Sequence, residues 1–261
     1  MLPELLGIAL QVSDAAHYDT IRLFRSDALA TQNKADSGFD PVTEADRNAE
    51  IAMRELLADL RPDDAILGEE FGEKPGTTGL RWVIDPIDGT RGFMSGTPTW
   101  GVLVGLENSD GPMLGVIDQP FTGEKFFGYG DTALWTRDDE KCFIKTRACE
   151  DLSSAILYTT FPEIGSDAEY AAFRNVSKES RLTRYGLDCY AYALLAAGQI
   201  DLVIEAGLNA YDVVAPIAVI EAAGGIVTDW RGGKAHEGGR LLAAGDARVH
   251  AQALEILSKA E

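Results

Sequence analysis

The chain has 261 residues, 46% of them hydrophobic and 25% charged. That composition excludes a disordered or fibrous chain, and a chain this long buries on the order of 75% of its unfolded surface without disulfides or structural metal. Its 23 Lys and Arg stand against 42 Asp and Glu, a formal charge of −19, which argues against nucleic-acid backbone binding because counterion release needs clustered cations. Most of such an acidic excess serves solubility; acids in special positions have a second use, holding a divalent cation.

Cys142, Cys149 and Cys189 are odd in number and form no C-x-x-C pair, which speaks for a reducing compartment and against a thiolate zinc site. His17, His236 and His250 sit near no recognisable catalytic signature. Glu4 interrupts the first apolar run and no basic leader precedes it, so a signal peptide is not expected. No stretch approaches the roughly 20 apolar residues of a membrane span. The expectation is a cytoplasmic protein with neither membrane nor nucleic-acid partners.

In chain order, residues 3–26 place Leu5, Leu6, Ala9, Val12, Ala16 and Leu23 near one stripe and predict a single helix. A polar loop follows at 33–38. Thr43 with Asp46 three residues later resembles a capping box, opening a second helix that Pro62 stops. Short apolar runs at 65–67, 81–84, 100–106, 113–118, 125–129 and 133–136 predict a meander-like antiparallel sheet. The second half alternates strands at 155–160, 181–185, 201–205, 226–230 and 240–244 with helices at 167–178, 188–198, 211–223 and 247–259. Two closely packed α/β halves are expected, 1–145 and 146–261, divided near the polar run Arg137-Asp138-Asp139-Glu140-Lys141.

Four places concentrate carboxylates. Ile66-Leu67-Gly68-Glu69-Glu70 and Trp82-Val83-Ile84-Asp85-Pro86-Ile87-Asp88-Gly89-Thr90 each run an apolar strand into acids. Ala210-Tyr211-Asp212 opens an apolar helix with one, and residues 40–46 place Asp40, Glu44 and Asp46 at the second helix start. Each has a plain reading: Asp212 as an acid favoured at a helix N-terminus, Asp46 as a cap, Asp85-Pro86 and Asp88-Gly89 as turns. Together they suit Mg²⁺, which takes oxygen ligands and keeps waters for exchange. A kink at Pro86 would bring Asp85 and Asp88 to one site and free the Ile87 carbonyl as a neutral ligand. Asp85 is the natural bridge between two cations. Gly89-Thr90 can begin a helical turn whose N–H groups face an anion. Carboxylates holding cations beside such a turn suit a phosphate ester.

At these residues the sequence resembles the inositol monophosphatase family, across almost the whole chain. Trp82 through Thr90 matches its W-x-I/V-D-P-I/L-D-G-T motif, Asp212 through Gly225 its second, and the G-E-E and D-x-V-T-x-x-D segments also match. The resemblance implies a layered α-β-α-β-α sandwich of mixed α/β class, a homodimer, and two or three Mg²⁺ ions per subunit. It implies Glu69, Asp85 and the Ile87 carbonyl as ligands of a first ion, and Asp85, Asp88 and Asp212 as ligands of a second. Glu69 would also orient the nucleophilic water, which Thr90 and Asp46 activate, while Gly89 and Thr90 amides hold the phosphate. Attack is in line, with no covalent phosphoenzyme.

The second half resembles one branch more closely. Tyr185-Gly186-Leu187-Asp188-Cys189-Tyr190-Ala191-Tyr192 looks like the Y-G-x-D-C-Y-A-Y of the family's histidinol-phosphate phosphatases, as do Arg91-Gly92-Phe93 and Thr97-Pro98-Thr99-Trp100-Gly101. Histidinol phosphate carries an ammonium and an imidazole that Asp188 and Glu205 could pair with; Glu205 could equally accept from an inositol hydroxyl. Arg91 and Arg184 complete the substrate candidates. Leu187 departs from the family's frequent Gly, and Asn209 and Ala210 depart from bulkier or charged residues. Lys34 is a weak match to the family's loop lysine. Trp100 and Tyr190 read as core or pocket wall, and Cys189 as a small buried residue. The alternatives are an inositol or broad sugar monophosphatase and, more remotely, a non-catalytic metal-binding regulatory protein.

Overall fold

A computed structural model describes residues 2–27, 31–33, 41–161, 163 and 165–260; Lys34 and Asp40 lie outside them. Two helices, α1 (Leu2–Ala15) and α2 (His17–Leu23), replace the single helix expected over 3–26. The apolar stripe is buried throughout, but the Ala16 N–H turns to the Ser13 carbonyl, three residues back, the tight turn that ends helices. A short antiparallel pair, β1 (Thr31–Asn33) and β2 (Pro41–Thr43), flanks the stretch expected as a loop.

The capping box forms as its spacing predicts. Thr43 Oγ1 accepts from Ala45 N at 3.1 Å, and Asp46 Oδ2 accepts from Thr43 N at 2.8 Å. Together they start α3 (Glu44–Leu60), which ends just before Pro62.

The expected meander is an eight-stranded sheet in the order β10-β9-β8-β7-β6-β5-β3-β4. Its strands are β3 (Ala65–Gly68), β4 (Gly72–Lys74), β5 (Arg81–Asp88), β6 (Gly101–Asn108), β7 (Gly111–Gln119), β8 (Glu124–Tyr129), β9 (Thr132–Arg137) and β10 (Glu140–Phe143). All neighbours are antiparallel except β3 and β5. The sequence reading missed β4 and β10, which show no buried face to alternate with an exposed one. The second sheet, ordered β12-β11-β13-β15-β14, comprises β11 (Ile156–Thr159), β12 (Leu182–Tyr185), β13 (Leu202–Asn209), β14 (Ile226–Thr228) and β15 (Gly238–Ala244).

Strand alternation assigns the layers, because successive side chains point to opposite faces. On the first sheet, Val102, Val104 and Val116 join the core with α1 and α3, while Leu103 and Ile117 face α6 (Cys189–Ala196) and α7 (Ala210–Ala222). On the second, Val203, Leu241 and Ala243 meet the other side of α6 and α7. Leu202, Ile204, Leu242 and Ala244 face α5 (Asp167–Glu179) and α8 (Ala247–Leu257). The order is therefore α-β-α-β-α, as expected.

The central helix α7 lies unusually close to the first sheet. A β-carbon on Gly115 would meet the Ala215 carbonyl oxygen at 2.2 Å, and one on Gly105 would meet Val214 Cγ1 at 2.6 Å. Small residues on β6 and β7 thus set the depth of α7, and with it the position of Asp212 in its first turn.

Candidate active site

Three elements converge where β5 ends. Asp85 and Asp88 lie on β5, three residues apart, which on a regular strand would point them to opposite faces. The register with β6 shifts between Asp85 and Asp88, a bulge of the kind that re-aims a side chain. A strand bulge, rather than one turn at Pro86, brings both acids together. Asp212 comes from α7, where its Oδ2 accepts from Asn209 N at 2.6 Å and closes a capping box. One oxygen from each of Asp85, Asp88 and Asp212 lies within 4.8 Å of the others. The capping and metal readings of Asp212 are thus compatible: the carboxylate that closes the cap also reaches the acid cluster.

Electrostatics mark this cluster as built for cations. Burial pushes Asp85 well above the usual carboxylate range, and the charges of Glu69, Asp88 and Asp212 push it further. Asp88 is raised by burial, then by Asp188 and Asp212. Buried acids that repel one another are costly unless a cation joins them. Oxygen-only donors with hard-ion character fit Mg²⁺ or a similar divalent ion. A second acidic cluster, Asp14, His17 and Asp118, differs: Lys125 Nζ already sits 2.7 Å from Asp14 and 2.5 Å from Asp118.

Around the cluster lie Glu69, Thr90, Asp46 and Gly89. Glu69 follows β3 and shares a hydrogen bond with Asp85. Thr90 Oγ1 lies 3.3 Å from Asp46 Oδ1 and 3.2 Å from the Ile87 carbonyl, so it joins the helix-α3 acid to the end of β5. Asp46 is pushed up to about 6, chiefly by burial. Gly89, at φ 83°, begins α4 (Thr90–Met94), a conformation that favours glycine.

Beside the cluster is a cavity of about 200 Å³ with Asp88, Asp188, Glu205 and Asp212 on its walls, and no Lys or Arg among its described lining residues. Asp188 rises to about 6 through burial, which Arg91 opposes. Glu205 rises to about 7 through burial, against hydrogen bonds from Thr160 and Thr159. Thr160 N donates to Glu205 Oε1 at 2.6 Å and Thr159 Oγ1 to Oε2 at 3.1 Å. The Arg91 guanidinium lies over the Phe161 ring at 4.8 Å. Arg184 stands apart, exposed on β12 and absent from the cavity's lining.

Other residues are clarified by the geometry. Leu187 adopts φ 89°, which explains why glycine suits this place: a β-carbon there costs roughly 1–2 kcal/mol. Cys189 is buried and its N–H donates to Asp88 Oδ2 at 2.6 Å. Trp100 is in the core with Phe24 and Phe93, and Tyr190 bonds Glu124 at 2.8 Å, away from the cavity. Its neighbour Tyr192 lines the cavity instead. Thr159, Thr160, Phe161 and Glu50 carry no local signal in the sequence, because their partners are distant along the chain.

Comparison with known proteins gives the family and the fold. The model of the inositol monophosphatase family matches residues 2–261. A bifunctional phosphatase, IMPL2 of Arabidopsis thaliana chloroplasts, is 42% identical over 84% of the chain, which spans 66% of that relative's length. A histidinol-phosphatase from Chlorobaculum parvum is 34% identical over 89% of this chain and 88% of its own. Among solved structures, an inositol monophosphatase from Zymomonas mobilis superposes with TM-score 0.86 at 36% identity, covering 98% of each chain.

Proposed function

Since the chain belongs to the inositol monophosphatase family, whose members are metal-dependent phosphomonoesterases, we propose that it uses Mg²⁺ to hydrolyse L-histidinol phosphate to L-histidinol and phosphate. The observation that carries the substrate is the cavity. Beyond Asp88 and Asp212, which face the cations, Asp188 and Glu205 add two acids to a lining that holds no Lys or Arg; the one cation felt there is Arg91, outside the lining, which acts on Asp188. Such a wall favours a leaving group that carries positive charge, as the ammonium of histidinol does. Histidinol-phosphatases occur among the chain's relatives at 31–34% identity.

Asp85, Asp88, Asp212, Glu69 and the Ile87 carbonyl would hold Mg²⁺, which when bound would supply positive charge to the ester and acidify water. The protein's own groups do the rest. Thr90 Oγ1 takes a proton from the attacking water while passing its own to Asp46, whose value of about 6 suits a base near neutral pH. Gly89 and Thr90 amides orient the phosphate, and Asp188 and Glu205 hold the alcohol. No residue forms a bond to phosphorus.

The second reading is myo-inositol 1-phosphate, favoured by the close superposition on the Zymomonas mobilis enzyme and by the capacity of Glu205 to accept from hydroxyls. Product inhibition separates the two. L-Histidinol should compete with substrate while myo-inositol at the same concentration should not; the reverse order rejects the amine pocket. A homodimer in the cytoplasm completes the proposal. No described helix is long and apolar enough to cross a membrane.

A further inference from the structure

One buried acid close to the site has no part in the chemistry above. Glu50 is on α3, one helical turn after Asp46, and its side chain is fully buried. Its carboxylate is aimed at the turn between β3 and β4, the turn that carries Glu69. Oε2 accepts from Glu70 N at 2.6 Å, and Oε1 accepts from Phe71 N at 3.2 Å and from Arg54 Nε at 2.6 Å. Arg54 also donates to the Gly72 carbonyl. The Glu50–Arg54 pair therefore grips both ends of Glu70-Phe71-Gly72, immediately after Glu69.

Gly68 shows that this fit is specific. A β-carbon there would lie 2.0 Å from Glu50 Oε1 and 2.8 Å from an Arg54 guanidinium nitrogen. The glycine of the Gly68-Glu69-Glu70 segment makes room for the carboxylate, and its backbone continues directly into Glu69. A buried carboxylate costs several kcal/mol unless paired, and here a guanidinium and two backbone N–H groups satisfy it. What those bonds hold is a surface turn; an apolar side chain would fill the same space without fixing its backbone.

We propose that Glu50 is a positioning residue of the metal centre, fixing the β3–β4 turn so that the Glu69 carboxylate is held against Asp85 before a cation arrives. This rests on the metal-dependent reading of the Asp85 cluster. With Asp46 one turn earlier bonded to Thr90, a single face of α3 then sets two groups of the site, one directly and one through a turn. Partners that orient ligands typically change metal affinity by about 10–100-fold when lost.

The test is Mg²⁺ binding to the full chain by titration calorimetry, beside the melting temperature of the metal-free protein. Glu50→Gln keeps the size but opposes an amide N–H to a backbone N–H. It should weaken Mg²⁺ binding by about 10–100-fold and raise the Mg²⁺ concentration for half-maximal activity equally, while kcat at saturating Mg²⁺ stays within about threefold of wild type. Gly68→Ala displaces the same carboxylate without altering any charge; it should reproduce the loss and carries the test should Glu50→Gln not fold. Wild-type Mg²⁺ affinity in either folded variant overturns the inference, whatever happens to the melting temperature. A wild-type protein that binds no divalent cation overturns the metal-centre reading itself, a distinguishable failure.

Discussion

The Asp188 carboxyl carbon lies 2.7 Å from the place a β-carbon on Gly89 would occupy. The strand-to-helix turn at the end of β5 and the start of α6 are therefore packed to the limit that glycine allows. The contact places an acid that binds no cation in this scheme directly beside the turn assigned to phosphate. Its use is on the other side, where it faces the cavity with Glu205.

Asp188→Asn removes that charge while keeping the shape. A hydrogen bond to a charged group contributes about 1.5–3 kcal/mol, so kcat/KM for L-histidinol phosphate should fall roughly 10–100-fold. Hydrolysis of myo-inositol 1-phosphate should change far less. Equal losses on both esters would assign Asp188 to the turn and not to the leaving group.

Asp88 should show opposite effects on activity and stability. Asp88→Asn takes one repelling carboxylate from a buried cluster, so the metal-free protein should melt higher than wild type. Phosphatase activity with Mg²⁺ should fall by at least about 100-fold, as expected for removal of a group that acts directly on the reacting charge. Undiminished activity would sink the role of this cluster.

Burial of these acids, with repulsion added at Asp85 and Asp88, makes a pH prediction. Asp46 and Asp188 are held near 6 and Glu205 near 7, with Asp85 and Asp88 also raised. A folded-state value above the unfolded one means that the folded protein binds more protons, so stability is present at low pH and lost as pH rises through the folded value. Glu221, also raised by burial, adds to the same trend, while His250, lowered by burial, acts the other way over the lower part of this range, one group against six. The metal-free protein should therefore melt lower at pH 8 than at pH 5, and Mg²⁺ should restore most of the difference. Calorimetry in both states checks this; a metal-free melting temperature that rises over that range would contradict it.

Far from the chemistry, the approach of α7 to the first sheet is testable through Gly115. Gly115→Ala must push the Ala215 backbone away, since 2.2 Å is no contact distance. Overpacking of this kind costs typically about 1–3 kcal/mol, seen as a melting temperature several degrees lower. A value within about a degree of wild type would show that the helix has room to move.

The parts legible in the sequence were those with local signals. Thr43 and Asp46 announce a helix start by spacing alone, and that cap fixes the acid that meets Thr90. The Trp82–Thr90 run shows a strand ending in carboxylates, and the layers follow from alternation along the strands. Less legible were features set by partners distant in sequence. The bulge that aims Asp85 and Asp88 together is defined by β6, and the helix break at Ala16 leaves the apolar stripe unbroken. Thr159 and Thr160 hold Glu205 across 46 and 45 residues. Glu50 reads as an ordinary helical acid until β3 is placed beside it.

The most direct measurement is phosphate release by the purified protein with Mg²⁺, comparing L-histidinol phosphate and myo-inositol 1-phosphate at equal, low concentrations. We expect kcat/KM to favour L-histidinol phosphate by at least about tenfold, the lower end of what one hydrogen bond to a charged group contributes. Equal rates, or a preference for the inositol ester, would contradict the cationic leaving-group pocket while leaving the metal centre in place.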